Sequence, residues 1–415
     1  MAFARRRIVT ALLTANAIRP LRGNLGPLGF VLGWPTTELA PQLLALTVAD
    51  TAQAVVRGKA SKSRLLLAAA SAAGIGYLID QSRNAAGQAE RALSESLGAN
   101  YLDELDRPRD ADLRTPLRDL ARPFSMMKPG VEVIRDINYR DGGSRARLDI
   151  YRPEGVDLSN APVLIQVHGG GWTIGDKSQQ GLLLMNRMAA RGWICVAINY
   201  RLAPKNPFPA QIIDVKRAIA WTRENIASYG GDPSYLVLTG GSAGGHLSSL
   251  AAVTPSVTEY QPGFEDADTS VSACVSFYGV YDLAGIIGDQ GSVGLRDKFL
   301  ARRVFKLDPA TELEQFTLSS PLAQVTQDAP DFFVIHGTND GLVPVNQAHA
   351  FVAALRQRSP GIVTYLELPN AQHAFEVFSS IRSQSVIRAV ERWLEWHRVT
   401  RRTATSRTGA TVHAG

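Results

Sequence analysis

Cysteine is scarce: the chain has two in 415 residues. That excludes a disulfide scaffold, and without a Cys-x-x-Cys pair or a metal-ligand spacing nothing points to a metal or another cofactor. Cys195 and Cys274 lie inside apolar strand-like runs and read as small core side chains, which form a bridge only if their strands adjoin. Long apolar runs are missing too. The uncharged apolar run between Arg64 and Asp80, Leu65 to Ile79, has 15 residues, short of the ~20 a membrane-spanning helix needs. It reads as a packed helix, with an interfacial membrane contact as the second reading. There is no internal repeat, and no Gly-x-x-x-x-Gly-Lys-Ser/Thr cradle for nucleotide phosphates. Acid is absent from both ends. Residues 1–37 hold Arg5, Arg6, Arg7, Arg19 and Arg22 with no Asp or Glu, and residues 398–415 hold Arg398, Arg401, Arg402 and Arg407 with none. The formal charge of +6 is therefore +5 and +4 at the ends and −3 in the body between them. A body without basic character excludes a nucleic-acid module. The basic ends suit anionic lipid headgroups, and the second reads as a disordered tail.

Against these absences one segment stands out. Gly240-Gly241-Ser242-Ala243-Gly244 lies between an apolar strand-like run, Tyr235 to Thr239, and a helix-like stretch from Ala243 to about Val253. A chain that reverses from strand to helix in so few residues forces a strained backbone on the central serine, and side chains two positions away on either side would collide. A tightly packed Gly-rich turn is the plain alternative. As a nucleophile, Ser242 needs a base to take its proton and a carboxylate to hold that base in the right tautomer.

Two late strand-like runs supply both groups. Asp331 to His336 leads into Gly337-Thr338-Asn339-Asp340, and Val363 to Leu368 leads into Pro369-Asn370-Ala371-Gln372-His373. Asp340 and His373 each fall just past a strand, where the C-terminal ends of a parallel sheet line one edge. Asp340 also reads as a turn residue in Asn-Asp-Gly, with Asp331 as the weaker substitute. Of the seven histidines, His168, His246 and His336 belong to other motifs or strand ends, His349 lies in a helical run, and His397 and His413 lie toward the basic end. His168-Gly169-Gly170-Gly171-Trp172 follows the strand Pro162 to Val167, and three successive glycines expose backbone N–H groups that, with the Ala243 amide, make an oxyanion hole. Trp172 beside that loop reads equally as a pocket wall or as a buried packing aromatic.

Residues 131–397 resemble α/β-hydrolase fold carboxylesterases, particularly the hormone-sensitive-lipase-like group with its His-Gly-Gly-Gly motif. The resemblance rests on His168 to Trp172, on Asn199-Tyr200-Arg201-Leu202-Ala203-Pro204 running on to Phe208-Pro209-Ala210 and Asp214, on the Gly240 to His246 elbow, and on Asp340 and His373. It implies a triad of Ser242, Asp340 and His373, oxyanion amides at Gly170, Gly171 and Ala243, and Gly169 shaping the loop. His336-Gly337-Thr338-Asn339-Asp340 departs from the Asp-Pro-Leu-x-Asp block usual around the acid of that group. It is closer to arylformamidases, feruloyl-esterase-like enzymes and prolyl-oligopeptidase-type domains. The expected activity is hydrolysis of short to medium acyl esters or lipid esters through an acyl-enzyme, with an arylformamidase-like or peptidase-like amide hydrolase as the alternative. A non-catalytic binding protein of the same fold would be expected to have lost part of the triad, and all three positions are present.

The expected architecture is an eight-stranded, mostly parallel sheet flanked by helices, the first two strands antiparallel at the edge. Residues 283–326, between two sheet strands, are long enough to be cap material over the site. Residues 1–130 form an Ala- and Leu-rich helical extension with no catalytic constellation, suited to a lid or, through residues 1–80, to peripheral membrane contact. Arg5 to Arg7 before Ile8 to Ile18 mimic a signal sequence, but Thr10, Thr14 and Asn16 interrupt its apolar core and no cleavage site follows. The expected location is cytoplasmic, or peripheral on a membrane or the cell envelope.

Overall fold

A computed structural model describes residues 2–105, 113–116 and 120–412 of the chain. Its centre is one sheet of eight strands: β1 (Val131–Asn138), β2 (Arg147–Pro153), β3 (Ala161–Val167), β4 (Ile194–Ile198), β5 (Gly231–Gly241), β6 (Ala273–Phe277), β7 (Asp331–Gly337) and β8 (Val363–Leu368). Their spatial order is β1-β2-β4-β3-β5-β6-β7-β8. β1, the half-buried edge strand, pairs antiparallel with β2, and β2 pairs antiparallel with β4. The other pairs are parallel. The inner strands are buried on both faces, which is why their sequences are continuous apolar runs. Cys195 on β4 and Cys274 on β6 are free and buried, with β3 and β5 between them. Two intervening strands separate them by about 14 Å, beyond the reach of a disulfide.

Alternate residues of each strand feed two cores. Val163, Ile165, Leu236 and Leu238 pack on one face with α6 (Ala210–Asn225), α7 (Ala243–Val253) and α11 (Asn346–Arg358). Leu164, Val237, Val275 and Phe333 pack on the other with α5 (Leu182–Ala189) and α12 (Ile381–Val412). Between β6 and β7 the chain makes α8 (Gln290–Leu295), a π-helix (Arg296–Phe305), α9 (Leu313–Leu318) and α10 (Pro321–Gln324).

Among the described residues the N-terminal region holds four α-helices, α1 (Ala2–Ile18), α2 (Gly26–Glu38), α3 (Ala40–Val56) and α4 (Lys62–Leu97). The second half of α4 is part of the hydrolase core: Ala85, Ala89 and Leu93 share the second cluster with α12, and Ser96 Oγ lies 2.7 Å from Thr364 Oγ1 of β8. The first half packs on α1 and α3 through a small core of Ala17, Ala40, Ile75 and Leu78. Among the described residues α4 is the one helix long and apolar enough, by length and composition, to cross a membrane. Only 28% of its most apolar window is buried, so it is less a packed helix than its sequence suggests.

The C-terminal end differs from its sequence reading. Where composition indicates a disordered tail from residue 398, α12 continues to Val412. Extending an existing helix adds a hydrogen bond per residue without a new nucleation cost, and Arg401 Nη1 donates to Ser272 O at 3.1 Å.

Candidate active site

The strand-to-helix reversal after β5 has the geometry its glycines imply. Ser242 holds φ 59° and ψ −122° at the N-terminus of α7, a region a non-glycine residue occupies only under constraint. A Cβ on Gly240 would lie 2.6 Å from Gly244 C and Val167 O, and one on Gly244 would lie 2.1 Å from Val167 O. Neither position admits a side chain. Ser242 N–H donates to Phe277 O at 3.0 Å, which ties the elbow to the end of β6.

The Gly-rich loop after β3 lies against this elbow, since a Cβ on Gly169 would meet Gly241 O at 2.7 Å and the Ser242 Cβ at 3.3 Å. Gly170 and Gly171 take φ 115° and 56°. The Gly169 N–H donates to Gln180 Oε1 at 2.7 Å, so this amide is engaged within the protein and the residue shapes the loop. The Asn199 to Asp214 stretch braces the same loop. Tyr200 stacks on His168 at 4.2 Å and donates its hydroxyl to His168 O at 2.8 Å, while Asp214 takes both arms of Arg201 and one from Arg140. Trp172 belongs to a cavity wall, yet its indole is 2% exposed and donates Nε1–H to His246 Nδ1 at 3.0 Å. With Nδ1 accepting, the ring proton of His246 sits on Nε2, which donates to Ser319 O at 2.9 Å. Burial pushes His246 down to about 4, so it is a neutral structural contact on the elbow helix.

The ends of β7 and β8 bring the acid and base together: His373 Nδ1 is 2.6 Å from Asp340 Oδ2. Asp340 is fully buried, which would raise its carboxyl, but the His373 and His336 rings outweigh burial and hold it well below the usual carboxylate range. Its other oxygen accepts the Leu342 and Val343 amides at 2.9 and 2.8 Å. A carboxylate so fixed presents His373 in the Nδ1–H tautomer, leaving the Nε2 lone pair free to accept a proton.

Several residues at the site carried little or no signal in the sequence. His336 Nε2 is 3.3 Å from Asp340 Oδ2 and 3.1 Å from Val343 O, a second imidazole on the same acid. The Tyr278 ring lies 4.5 Å from that of His373, and its hydroxyl donates to the buried Glu376. A Cβ on Gly241 would touch the Tyr278 hydroxyl at 2.6 Å, so Tyr278 connects the nucleophile turn to the His373 loop. Gln372 Oε1 accepts from the Gly341 and His373 amides at 2.9 and 3.1 Å, joining the Asp340 and His373 loops. Tyr278 lies one residue past β6, at the edge already marked as catalytic, and was findable there. The N-terminal helices supply the rest. Phe30 of α2 sets its ring edge-on to His373 at 5.9 Å, and Trp34 Nε1 donates to Ala374 O at 2.8 Å. Asn339 Nδ2 donates to Ile18 O at 3.3 Å.

Ser242, Asp340 and Gly171 open onto one cavity of about 1060 Å³. Its apolar wall includes Val280, Leu342 and Val343, with Leu295 and Phe299 from the segment between β6 and β7; Pro20 and Arg22 from the connection between α1 and α2, and Pro27 at the start of α2, complete this side of it. Among the described residues no cluster of His, Cys, Asp and Glu has the geometry to hold a metal ion.

The family model described as BD-FAE matches residues 148–355. The chain is 43% identical over 405 residues to the probable carboxylic ester hydrolase LipM of Mycobacterium tuberculosis, covering 93% of this chain and 91% of that one. It belongs to the α/β-hydrolase carboxylesterases. Esterase LipQ of the same organism is 43% identical over 309 residues, with 73% of this chain and 72% of LipQ covered. Among solved structures, a truncated carbohydrate esterase from gut microbiota has TM-score 0.54 and 26% identity, covering 63% of this chain and 96% of its own. Esterase B from Lactobacillus rhamnosis, at 22% identity and TM-score 0.57, shares the fold. The LipM match is long enough to include most of this carboxylesterase's N-terminal helices, whereas the gut enzyme matches a length close to that of the sheet and its flanking helices alone.

Proposed function

We propose that this carboxylesterase cleaves short to medium acyl esters by a serine mechanism with an acyl-enzyme intermediate. His373 Nε2, oriented by Asp340, takes the Ser242 proton as Oγ attacks the ester carbonyl. The oxygen of the tetrahedral intermediate accepts N–H groups from Gly170, Gly171 and Ala243, and the N-terminus of α7 adds its positive end to that field. His373 then returns the proton to the departing alcohol, and water repeats the sequence on the acyl group. The observation that carries the reading is a serine at φ 59° opening onto the same cavity as an aspartate bound 2.6 Å from a histidine. A cavity of about 1060 Å³ is at the upper end of small-molecule sites and suits an acyl chain beyond acetate.

The test compares p-nitrophenyl esters from acetate to palmitate on wild type and Ser242→Ala. The variant is expected to lose roughly 10⁴- to 10⁶-fold in rate. A folded Ser242→Ala protein with undiminished turnover refutes the mechanism. Ester inactivity with turnover of a formyl-anilide or a dipeptide moves the reading to an arylformamidase-like or peptidase-like amide hydrolase, which the His336 to Asp340 block favours. On the same footing we propose that the enzyme works in the cytoplasm, or held peripherally on a membrane or the cell envelope through residues 1–80.

A further inference from the structure

Fourteen of the 22 large hydrophobic side chains exposed among the described residues lie between Ile8 and Tyr77, a sixth of the chain. Single exposed hydrophobics are ordinary, but twelve of these lie on the four N-terminal helices, the other two, Leu21 and Leu25, in the connection from α1 to α2. On α1 the outward series is Arg5, Ile8, Val9, Leu12, Ala15 and Arg19, an apolar stripe with an arginine at each end. On α4 it is Lys62, Leu66, Ala69, Ala73 and Tyr77. Leu12, Val56 and Leu66 are 65, 87 and 71% exposed. Apolar faces repeated in this way mark a surface that another apolar phase covers.

The charge on these helices selects the phase. Residues 1–64 hold nine Arg and Lys against two acids, a net charge of +7. Both acids are engaged within the protein: Asp50 accepts from Arg6 and Arg7, and Glu38 pairs with Arg382. Arg57, Lys59 and Lys62 sit exposed at the turn from α3 to α4, beside Val56 and Leu66. Exposed apolar stripes bordered by unopposed cations suit the interface of a bilayer containing anionic lipid.

The same helices build the catalytic centre. Along α2, Pro27 lines the Ser242 cavity, and Phe30 and Trp34 hold the His373 loop. Leu28, Val31 and Leu32 of that helix face outward. One helix thus has catalytic loops on one side and an unpartnered apolar surface on the other, with Arg22 lining the cavity from the connection before it.

We propose that α1 to α4 dock this enzyme on an anionic lipid bilayer and that the cavity beside α2 takes its acyl ester from that bilayer. The proposal rests on the Ser242 hydrolase reading for the site and adds the phase from which substrate is drawn. It is tested by flotation of the full chain with vesicles of phosphatidylcholine alone and with roughly one-third phosphatidylglycerol. The comparison protein carries Leu12→Glu with Leu66→Glu, two outward positions that touch no catalytic group. Wild type is expected to float with the anionic vesicles and to be released by high salt. The double variant should bind roughly tenfold or more weakly and lose hydrolysis of a vesicle-embedded ester to the same degree. Its turnover of soluble p-nitrophenyl acetate should stay at the wild-type level. Equal flotation of the double variant, equal binding to phosphatidylcholine alone, or wild type that stays unbound and self-associates would each overturn the proposal. Flotation without any Ser242-dependent hydrolysis would instead overturn the hydrolase reading and leave the docking in place.

Discussion

Placing one methyl group in the nucleophile turn tests whether steric closeness there sets the rate. A Cβ on Gly244 would lie 2.1 Å from Val167 O and 2.8 Å from His168 O, both backbone atoms of β3 and the loop that carries Gly169 to Gly171. No rotamer change relieves contact with backbone, so the start of α7 must retreat from β3. Restoring even the 3.4 Å lower bound of an ordinary contact requires more than 1 Å of movement. Overpacking of this kind costs about 1–3 kcal/mol of stability, and a displacement of ~1 Å between reacting groups costs roughly 10²-fold in rate. Gly244→Ala should therefore unfold at lower urea and turn over p-nitrophenyl butyrate about 10²-fold more slowly. Gly76→Ala on α4 is the matched control. A Cβ there meets nothing within 4 Å, and the change should leave the rate alone while stabilising the helix by up to about 1 kcal/mol. A Gly244→Ala protein with wild-type rate and stability would refute the argument that these glycines are required by contact.

The remaining predictions concern groups around the triad and the buried histidines. Trp34→Ala removes the bond to Ala374 O and the stacking on Phe30 and Phe378, and should lower kcat for a soluble ester roughly tenfold with little change in KM, read by steady-state kinetics. His336→Leu removes the second imidazole from Asp340 and should cost roughly tenfold to a hundredfold in kcat; His336→Gln, whose amide still donates, should recover most of it. Burial lowers His168 and His246 to about 4 from an ordinary 6.5, so the unfolded chain binds more protons than the folded one between those values. Stability should be full above about pH 6.5 and fall as pH drops toward 4, by on the order of 3 kcal/mol per histidine, in urea titrations across that window. A midpoint that stays flat over that range would contradict their neutral state.

The sheet was legible because each strand states its own burial: runs such as Ile194 to Ile198 are apolar throughout and β1 is not, so both the number of strands and the antiparallel edge could be written from the chain. The Ser242 turn was legible for a different reason. Its glycines are imposed by contacts within a few residues of one another and with the neighbouring strand, and such constraints leave a local mark in sequence. Asp340 and His373 follow from the rule that parallel strands end along one edge. His336 escaped because a histidine at a strand end has the same local sequence whether it meets a backbone carbonyl or a buried carboxylate. Only the fold back through Val343 brings Asp340 to it.

The N-terminal helices are the harder case, and the reason is distance along the chain. Trp34 and Ala374 are 340 positions apart, and no periodicity or spacing links an indole in one Ala- and Leu-rich helix to a carbonyl beside His373. What sequence does record is the opposite face. Exposed apolar residues at helical spacing look, in a linear chain, the same as core residues at helical spacing, so the first half of α4 reads as a packed helix until its surroundings are known. The two faces together give α2 its meaning. A helix that met the His373 loop but was polar outside would be a plain buttress, and one that was apolar outside but remote from the site would be a plain anchor. Phe30 and Trp34 point one way and Leu28, Val31 and Leu32 the other, so a layer covering the outer face would lie about one helix diameter from the His373 loop. Perturbing either face should therefore register at Ser242, the inner face through kcat on any ester and the outer face only on esters presented in a bilayer.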